Sequence, residues 1–159
     1  MGYSNNRYTY LHNKGKVINN GDIEIANVEV SAGLIVAGIV AYQRNGGKVT
    51  GENDTDKTGQ IANTGDITIN GGKVNGAYVG GIYGYINVND MKYTSMINTG
   101  DITIGDIELN ASSKNRIGGI AGRIVNFNTW YNCQSYCTIK ATPADAEIGI
   151  LTGAPGESS

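Results

Sequence analysis

Three aspartates, Asp22, Asp66 and Asp101, hold the same place in three near-copies of one segment. Stacked along one edge, they would offer a row of the oxygen ligands that Ca²⁺ takes. The alternative is that each caps its own turn. Their spacing is not the Gly-Gly-x-Gly-x-Asp of calcium-binding β-rolls, so no metal is expected. Glu52, Asp54 and Asp56 alternate in a polar loop, but no downstream Glu completes a calcium loop. Asp101, Asp106 and Glu108, with Lys114 or Arg116 nearby, are the residues from which glycoside hydrolysis or polysaccharide lysis would draw its paired carboxylates. Nothing in their spacing predicts a convergent cleft, and no catalytic residue or cofactor is expected. His12 is the only histidine, and Cys133 and Cys137 are the only cysteines, too few for a zinc site. In one extended strand those cysteines would stand about 13 Å apart, beyond disulfide reach. Free thiols are expected, and a local disulfide would need a turn at residues 134–136.

Tyrosine, at 10 copies, is the dominant aromatic. Its ring is apolar and its edge polar, so it suits surfaces where one side is dry and the other wet. Tyr42, Tyr83 and Tyr85 end a glycine-rich segment, and Trp130 and Tyr131 lie near the end of the chain. If exposed, these five are the candidates to stack on sugar rings or grip a protein. Otherwise they cap ends or pack against loops.

The elements that would position these residues are repeats. The pattern aliphatic-x-Asn-x-Gly-Asp-Ile-x-Ile occurs at Val17–Ile25, Ile61–Ile69 and Met96–Ile104, with a degenerate fourth copy at Asn132–Ile139. Asn-x-Gly-Asp is turn chemistry, because Asn and Gly tolerate positive φ and Asp accepts local hydrogen bonds. Ile-x-Ile is a short strand with one buried face. Asn70-Gly71-Gly72-Lys73-Val74 and its relatives at 13–17 and 45–49 read as further turns.

A second segment follows each copy of the first, beginning at Val36, Val79, Ile117 and Ile148. Read as one strand of period two, it carries Ala37-Ile39-Ala41, Gly80-Ile82-Gly84, Gly118-Ile120-Gly122 and Gly149-Leu151-Gly153 on one face. That small-large-small pattern, four times over, predicts side chains stacked copy upon copy in a narrow interior. The motifs keep their form while their separation varies, which predicts stacked strands joined by loops of different length.

Composition agrees. With 24 Gly, abundant Asn and Ile and only 2 Pro, the chain is no helix former. Twelve cations against 14 anions, with no basic run, exclude the field that nucleic acid requires. The longest mostly apolar stretch, Leu34 to Tyr42, is far short of the ~20 residues that span a bilayer. The expected fold is all-β: a right-handed β-helix or β-solenoid of short stacked strands over 13–154, with two coils of about 20 residues in each repeat. An antiparallel sandwich or barrel is the competitor. Residues 1–12 would be an N-terminal cap or flank, and 155–159 a flexible tail. Open solenoid ends invite end-to-end association.

The second segment resembles the GLUG motif, through Gly81-Ile82-Tyr83-Gly84 and Gly119-Ile120-Ala121-Gly122, and more loosely through Gly38–Ala41 and Ile150–Gly153. The Asn-Thr-Gly-Asp-Ile segments are similar to the same repeats. The resemblance implies a repetitive β module of a bacterial surface protein, such as an adhesin or a non-catalytic region of an IgA-cleaving metallopeptidase. It implies an extracellular or cell-surface setting, although Met1–Asn6 shows no signal-peptide core. The implied role is a spacer or adhesive segment with a host protein, cell-surface protein or glycan as partner. A carbohydrate-binding module and a polysaccharide-degrading β-helix are the alternatives. His-Glu-x-x-His is absent, so no peptidase residue carries over.

Overall fold

The computed structural model describes residues 3–4, 10–12, 16–44, 48–50, 60–88, 92–109, 115–126, 129–142 and 146–153. Among them every regular element is a β-strand, and every strand pairing is parallel. The antiparallel competitor therefore falls. No helix among the described residues is long and apolar enough to cross a membrane.

Strands from four successive repeats make up each of the first two sheets, four strands in the first and five in the second. Sheet one holds Lys16–Asn19, Gln60–Asn63, Met96–Asn98 and Gln134–Ser135. Sheet two holds Ile23–Val30, Ile67–Val74, Ile102–Gly105 with Glu108–Leu109, and Ile139–Ala141. Sheet three holds Leu34–Ala37, Ala77–Gly80, Asn115–Gly118 and Ala146–Gly149. Sheet four holds Tyr3–Ser4, Val40–Arg44, Tyr83–Asn87 and Ala121–Val125. Two further strand pairs, Tyr10–His12 with Lys48–Thr50 and Lys92–Thr94 with Thr129–Tyr131, complete the pattern. The segment expected as a cap or flank thus contributes two strands that pair with the first repeat. The tail at 155–159 lies outside the described residues.

Register follows the motifs. Ile23, Ile67, Ile102 and Ile139 are direct neighbours, as are Val36, Val79, Ile117 and Ile148. A one-residue slip would turn the buried Ile67 and Ile69 outward, so burial fixes this alignment. The axial step is a whole repeat, between 31 and 44 residues, as paired side chains 31 and 44 apart illustrate. The expected two coils of about 20 residues per repeat are not formed: no described strand pairs with another half a repeat away.

The core is two dry columns. One contains Ile39, Ile61, Ile82, Tyr83, Met96 and Ile120. The other contains Val36, Ile67, Ile69, Val79, Ile102 and Ile117. Between them runs a waist of small and polar groups. A Cβ placed on Gly38, Gly81 or Gly119 would run into the side chain of Asn63, Asn98 or Ser135 respectively. The glycines are required because the following repeat stacks directly on them, its backbone carbonyl at residue 81, 119 or 150 included.

The glycine-rich segment departs from its reading as one strand. It is a strand, a bend at 38–39, 81–82, 119–120 and 150–151, and then a strand of the next sheet, reduced in the fourth copy to a single bridge at Thr152. Gly80 and Gly84 therefore lie on different strands. A Cβ on Gly80 would meet the backbone of Ala121 and Gly122, and one on Gly84 the backbone of Val36 and Ala41. The small positions are small because sheets three and four pass backbone against backbone, as do Gly118 and Gly122 one repeat on. Ile39, Ile82 and Ile120 sit at the bend and point into the first column, at 6%, 0% and 0% exposure. Backbone bonds join them: Val40 N–H donates to Ile82 O, Ile82 N–H to Ile120 O and Ile120 N–H to Leu151 O, each at 2.9 Å. Leu151 continues the column but is 40% exposed, because no described repeat covers it.

Turn glycines differ too. Gly65 and Gly100 are not among the residues with positive φ. A Cβ on either would strike the carbonyl of Gly21 or Gly65 in the repeat before. Asn70–Val74 is likewise no turn but part of the strand Ile67–Val74, kinked where Gly71 takes φ +75°. Asn27 and Asp106 hold the same kink, at φ 52° and 36°, in the neighbouring repeats.

Candidate functional site

Sheets three and four each present one side-chain row outward, and the glycine contact brings the rows together. Register places Tyr42 beside Tyr85 and Tyr85 beside Arg123 on sheet four. It places Ile35 beside Tyr78, Tyr78 beside Arg116 and Arg116 beside Glu147 on sheet three. Strands stand about 4.8 Å apart, so in-register rings must stack. The Tyr42 and Tyr85 centroids are 5.0 Å apart with planes at 16°. Tyr78 leans on Tyr85 from the other sheet at 5.3 Å. The Arg123 guanidinium lies 5.1 Å from the Tyr78 ring and 5.0 Å from the Tyr85 ring, and donates to the Tyr78 hydroxyl at 2.8 Å. Cation–π contact of this kind contributes about 0.5–2 kcal/mol. Arg116, 1% exposed, donates through Nε to Glu147 at 2.8 Å. Burial raises the Tyr85 hydroxyl pKa, with Arg123 pulling the other way.

Two of the five candidate aromatics, Tyr42 and Tyr85, thus meet in one cluster. Tyr83 does not: it is fully buried, set edge-on to Tyr93 at 5.5 Å, and offers no surface to a ligand. Trp130 stacks on the buried Tyr93 at 4.6 Å, which makes it part of the wall of the first column. Tyr93 Oη donates to Gln43 Oε1 at 3.0 Å, and burial pushes its pKa well above 10.0. Tyr131 is 47% exposed on the strand beside it. Tyr78 and Arg123, which the aromatic pattern of the sequence does not single out, complete the cluster. Aligning the glycine-rich segments puts Arg123 at the position of Tyr42 and Tyr85, the one sequence signal for its place in the row.

The repeated polar residues do something else: they bind repeat to repeat. Asn19 Nδ2 donates to Asn63 Oδ1, and Asn63 Nδ2 to Asn98 Oδ1, both at 2.8 Å. Each of these asparagines also donates to the carbonyl two residues on, at Gly21, Gly65 or Gly100. The aspartates form a second ladder. Asp66 N–H donates to Asp22 Oδ1, Asp101 N–H to Asp66 Oδ1 and Thr138 N–H to Asp101 Oδ1, at 2.9, 2.8 and 2.7 Å. Each carboxylate caps the next repeat rather than its own turn. No group of three or more metal-ligating residues occurs among the described residues.

The other carboxylates go separate ways. Glu108 pairs with Lys73 at 2.6 Å on the exposed surface. Asp101 serves the ladder, and Arg116 serves Glu147. Lys114 and the acidic loop Glu52–Asp56 lie outside the described residues. An open groove of about 470 Å³ lies between Glu29–Ser31 and Lys73–Asn75, where the first two repeats turn from sheet two to sheet three. Both thiols are free. Cys133 is held by the carbonyl of Tyr131 at 3.4 Å, and burial pushes its pKa up to about 11. Ser135 Oγ and Cys137 Sγ hydrogen-bond at 3.1 Å. The chain matches no family model, no curated protein and no solved structure.

Proposed function

We propose that this chain is a right-handed β-solenoid module of a bacterial cell-surface protein, of the GLUG-repeat kind, acting outside the cell as a stiff spacer and adhesive segment. The observation that carries the reading is the use made of the recurring polar residues. Asn19, Asn63 and Asn98, and Asp22, Asp66 and Asp101, point along the stack and hold one repeat on the next. A molecule whose repeated hydrogen bonds run along one axis resists bending and shear, as a spacer must. The binding face would be the Tyr42–Tyr78–Tyr85–Arg123 cluster, amphipathic and with Arg beside aromatic rings, the composition that anchors protein contacts.

A protein partner is favoured over a sugar for this face. Tyr42 and Tyr85 turn ring faces toward each other, and Arg123 covers Tyr85 and Tyr78, so flat ring surface for a pyranose is reduced. Tyr136, at 70% exposure, is the aromatic that best suits the carbohydrate alternative.

Beads coated with the whole chain test the proposal. They should adhere to host or bacterial cells more than bare beads do. The variant Y42A/R123A should keep the β-rich circular dichroism spectrum and lose most of that adhesion. Indifference of the coated beads to every cell surface, or cleavage of a polysaccharide panel by the chain, would sink it.

A further inference from the structure

The fourth repeat keeps the aliphatic register but breaks the axial asparagine, aspartate and bend-glycine patterns of the other three. Ser135 stands at the position of Asn63 and Asn98, Cys137 at that of Gly65 and Gly100, and Thr138 at that of Asp66 and Asp101. Ile150 stands at the position of Gly38, Gly81 and Gly119. In those three glycines the missing Cβ points along the stack. It would collide with the carbonyl of residue 81, 119 or 150 and with the side chain of residue 63, 98 or 135, all in the following repeat. Ile150 carries the Cβ that the earlier repeats exclude, and at 75% exposure its side chain projects into open space.

We infer that Ile150 is a steric stop that ends the stack, so that neither a further repeat of this type nor the first repeat of a second copy can dock in register beyond residues 134–152. The inference rests on the pairing and the glycine contacts, not on the proposed role. In a second copy Tyr3–Ser4 already covers the sheet-four edge, so docking would run through sheets one to three. The obstructed groups there are the Gly38 carbonyl and the Asn19 side chain, which would have to enter the space that Ile150 fills. Loss of the two ladders reinforces the stop. Asn98 Nδ2 finds no side-chain amide at Ser135, and Thr138 offers no carboxylate to an incoming N–H. The end nonetheless bears the apolar side chains Ile148, Ile150 and Leu151, at 51%, 75% and 40% exposure, above strand edges that would otherwise template pairing. Open head-to-tail stacking of identical chains leads to fibres. A Cβ at one position, where three repeats forbid it, blocks that route while leaving the sheets intact.

Three chains decide it: the wild type, S135N/T138D, and S135N/T138D with I150G. Sedimentation velocity gives the mass and small-angle scattering gives the length and cross-section as concentration rises. The wild type and the double variant should stay at constant mass. The triple variant should at least about double in mass, growing in length at unchanged cross-section, as head-to-tail addition requires. Ile150 is exposed, so folding should survive, and circular dichroism verifies it. Lengthening of the wild type, equal lengthening of the double variant, or a folded triple variant that does not lengthen would each overturn the inference.

Discussion

Asn63 shows how one side chain serves the whole stack. Its amide accepts from Asn19, donates to Asn98 and donates to the Gly65 carbonyl, all while fully buried. Removing it strands the Asn98 oxygen and the Gly65 carbonyl in a dry waist, at about 1–3 kcal/mol for each unsatisfied group. Asn63→Ala should therefore cost about 3 kcal/mol in urea denaturation. Asn19→Ala, in a half-buried position with water at hand, should cost about 1 kcal/mol. Cys133 gives a pH-dependent test. Its pKa rises from 9.0 to about 11 because burial disfavours the thiolate. The folded state thus keeps a proton that the unfolded chain releases. The stabilisation is complete below pH 9 and is lost as pH rises toward 11. The urea midpoint should fall across that window, with Tyr93 adding to the loss at its upper end. At pH 8, alkylation of Cys133 should be on the order of a hundred-fold slower than that of an unfolded-chain thiol, as judged by mass spectrometry of the peptide.

At the scale of the element, the strand–bend–strand unit depends on backbone contact. A Cβ on Gly81 would meet the Asn98 amide and the Gly119 carbonyl, neither able to move without parting two repeats. Gly33, in another bend, has its nearest atom at 3.6 Å, an ordinary contact. Gly81→Ala should lower stability by about 3 kcal/mol or prevent folding, and Gly33→Ala should change it by less than about 0.5 kcal/mol. Thermal melts of the pair separate close packing from the general entropic effect of replacing glycine. Half of this unit was legible beforehand. The fourfold small-large-small pattern announced a narrow interior and a single column of large residues, and Ile39, Ile82 and Ile120 form one. The bend was not legible, since Gly-Gly-Ile is as compatible with a strand as with a corner. The reason for each glycine was not legible either, because the atoms that exclude its Cβ belong to another repeat.

For the whole molecule, stability is cumulative along the stack, and the middle repeats hold most of it. Ile120 is fully dry between two repeats, whereas Leu151, the next residue in its column, is 40% exposed. Ile120→Ala should cost about 3–4 kcal/mol and Leu151→Ala about 1 kcal/mol, read from the midpoint of urea unfolding. Equal losses would mean that the fourth repeat is as enclosed as the third. Among the described residues, exposed large apolar side chains fall in the first repeat, at Ile18 and Val30, and in the stretch from Tyr131 to Leu151.

The sequence by itself determined that the chain is built of β repeats, which positions align from copy to copy, and which of those are large or small. These are local properties: alternation within a strand and recurrence of a motif survive in a one-dimensional reading. Tyr42, Tyr85 and Arg123 could be assigned to one row that way, and Asp22, Asp66 and Asp101 to another. Only the tertiary structure decided how far the chain travels before it meets itself, a whole repeat rather than half of one. It also decided that the carboxylates cap their neighbours, that Tyr83 turns inward while Tyr85 turns outward, and that Tyr78 crosses from another sheet to reach Tyr85. Those outcomes depend on distances between segments 31–44 residues apart, and such distances come from the packing of backbone on backbone, which no single repeat contains.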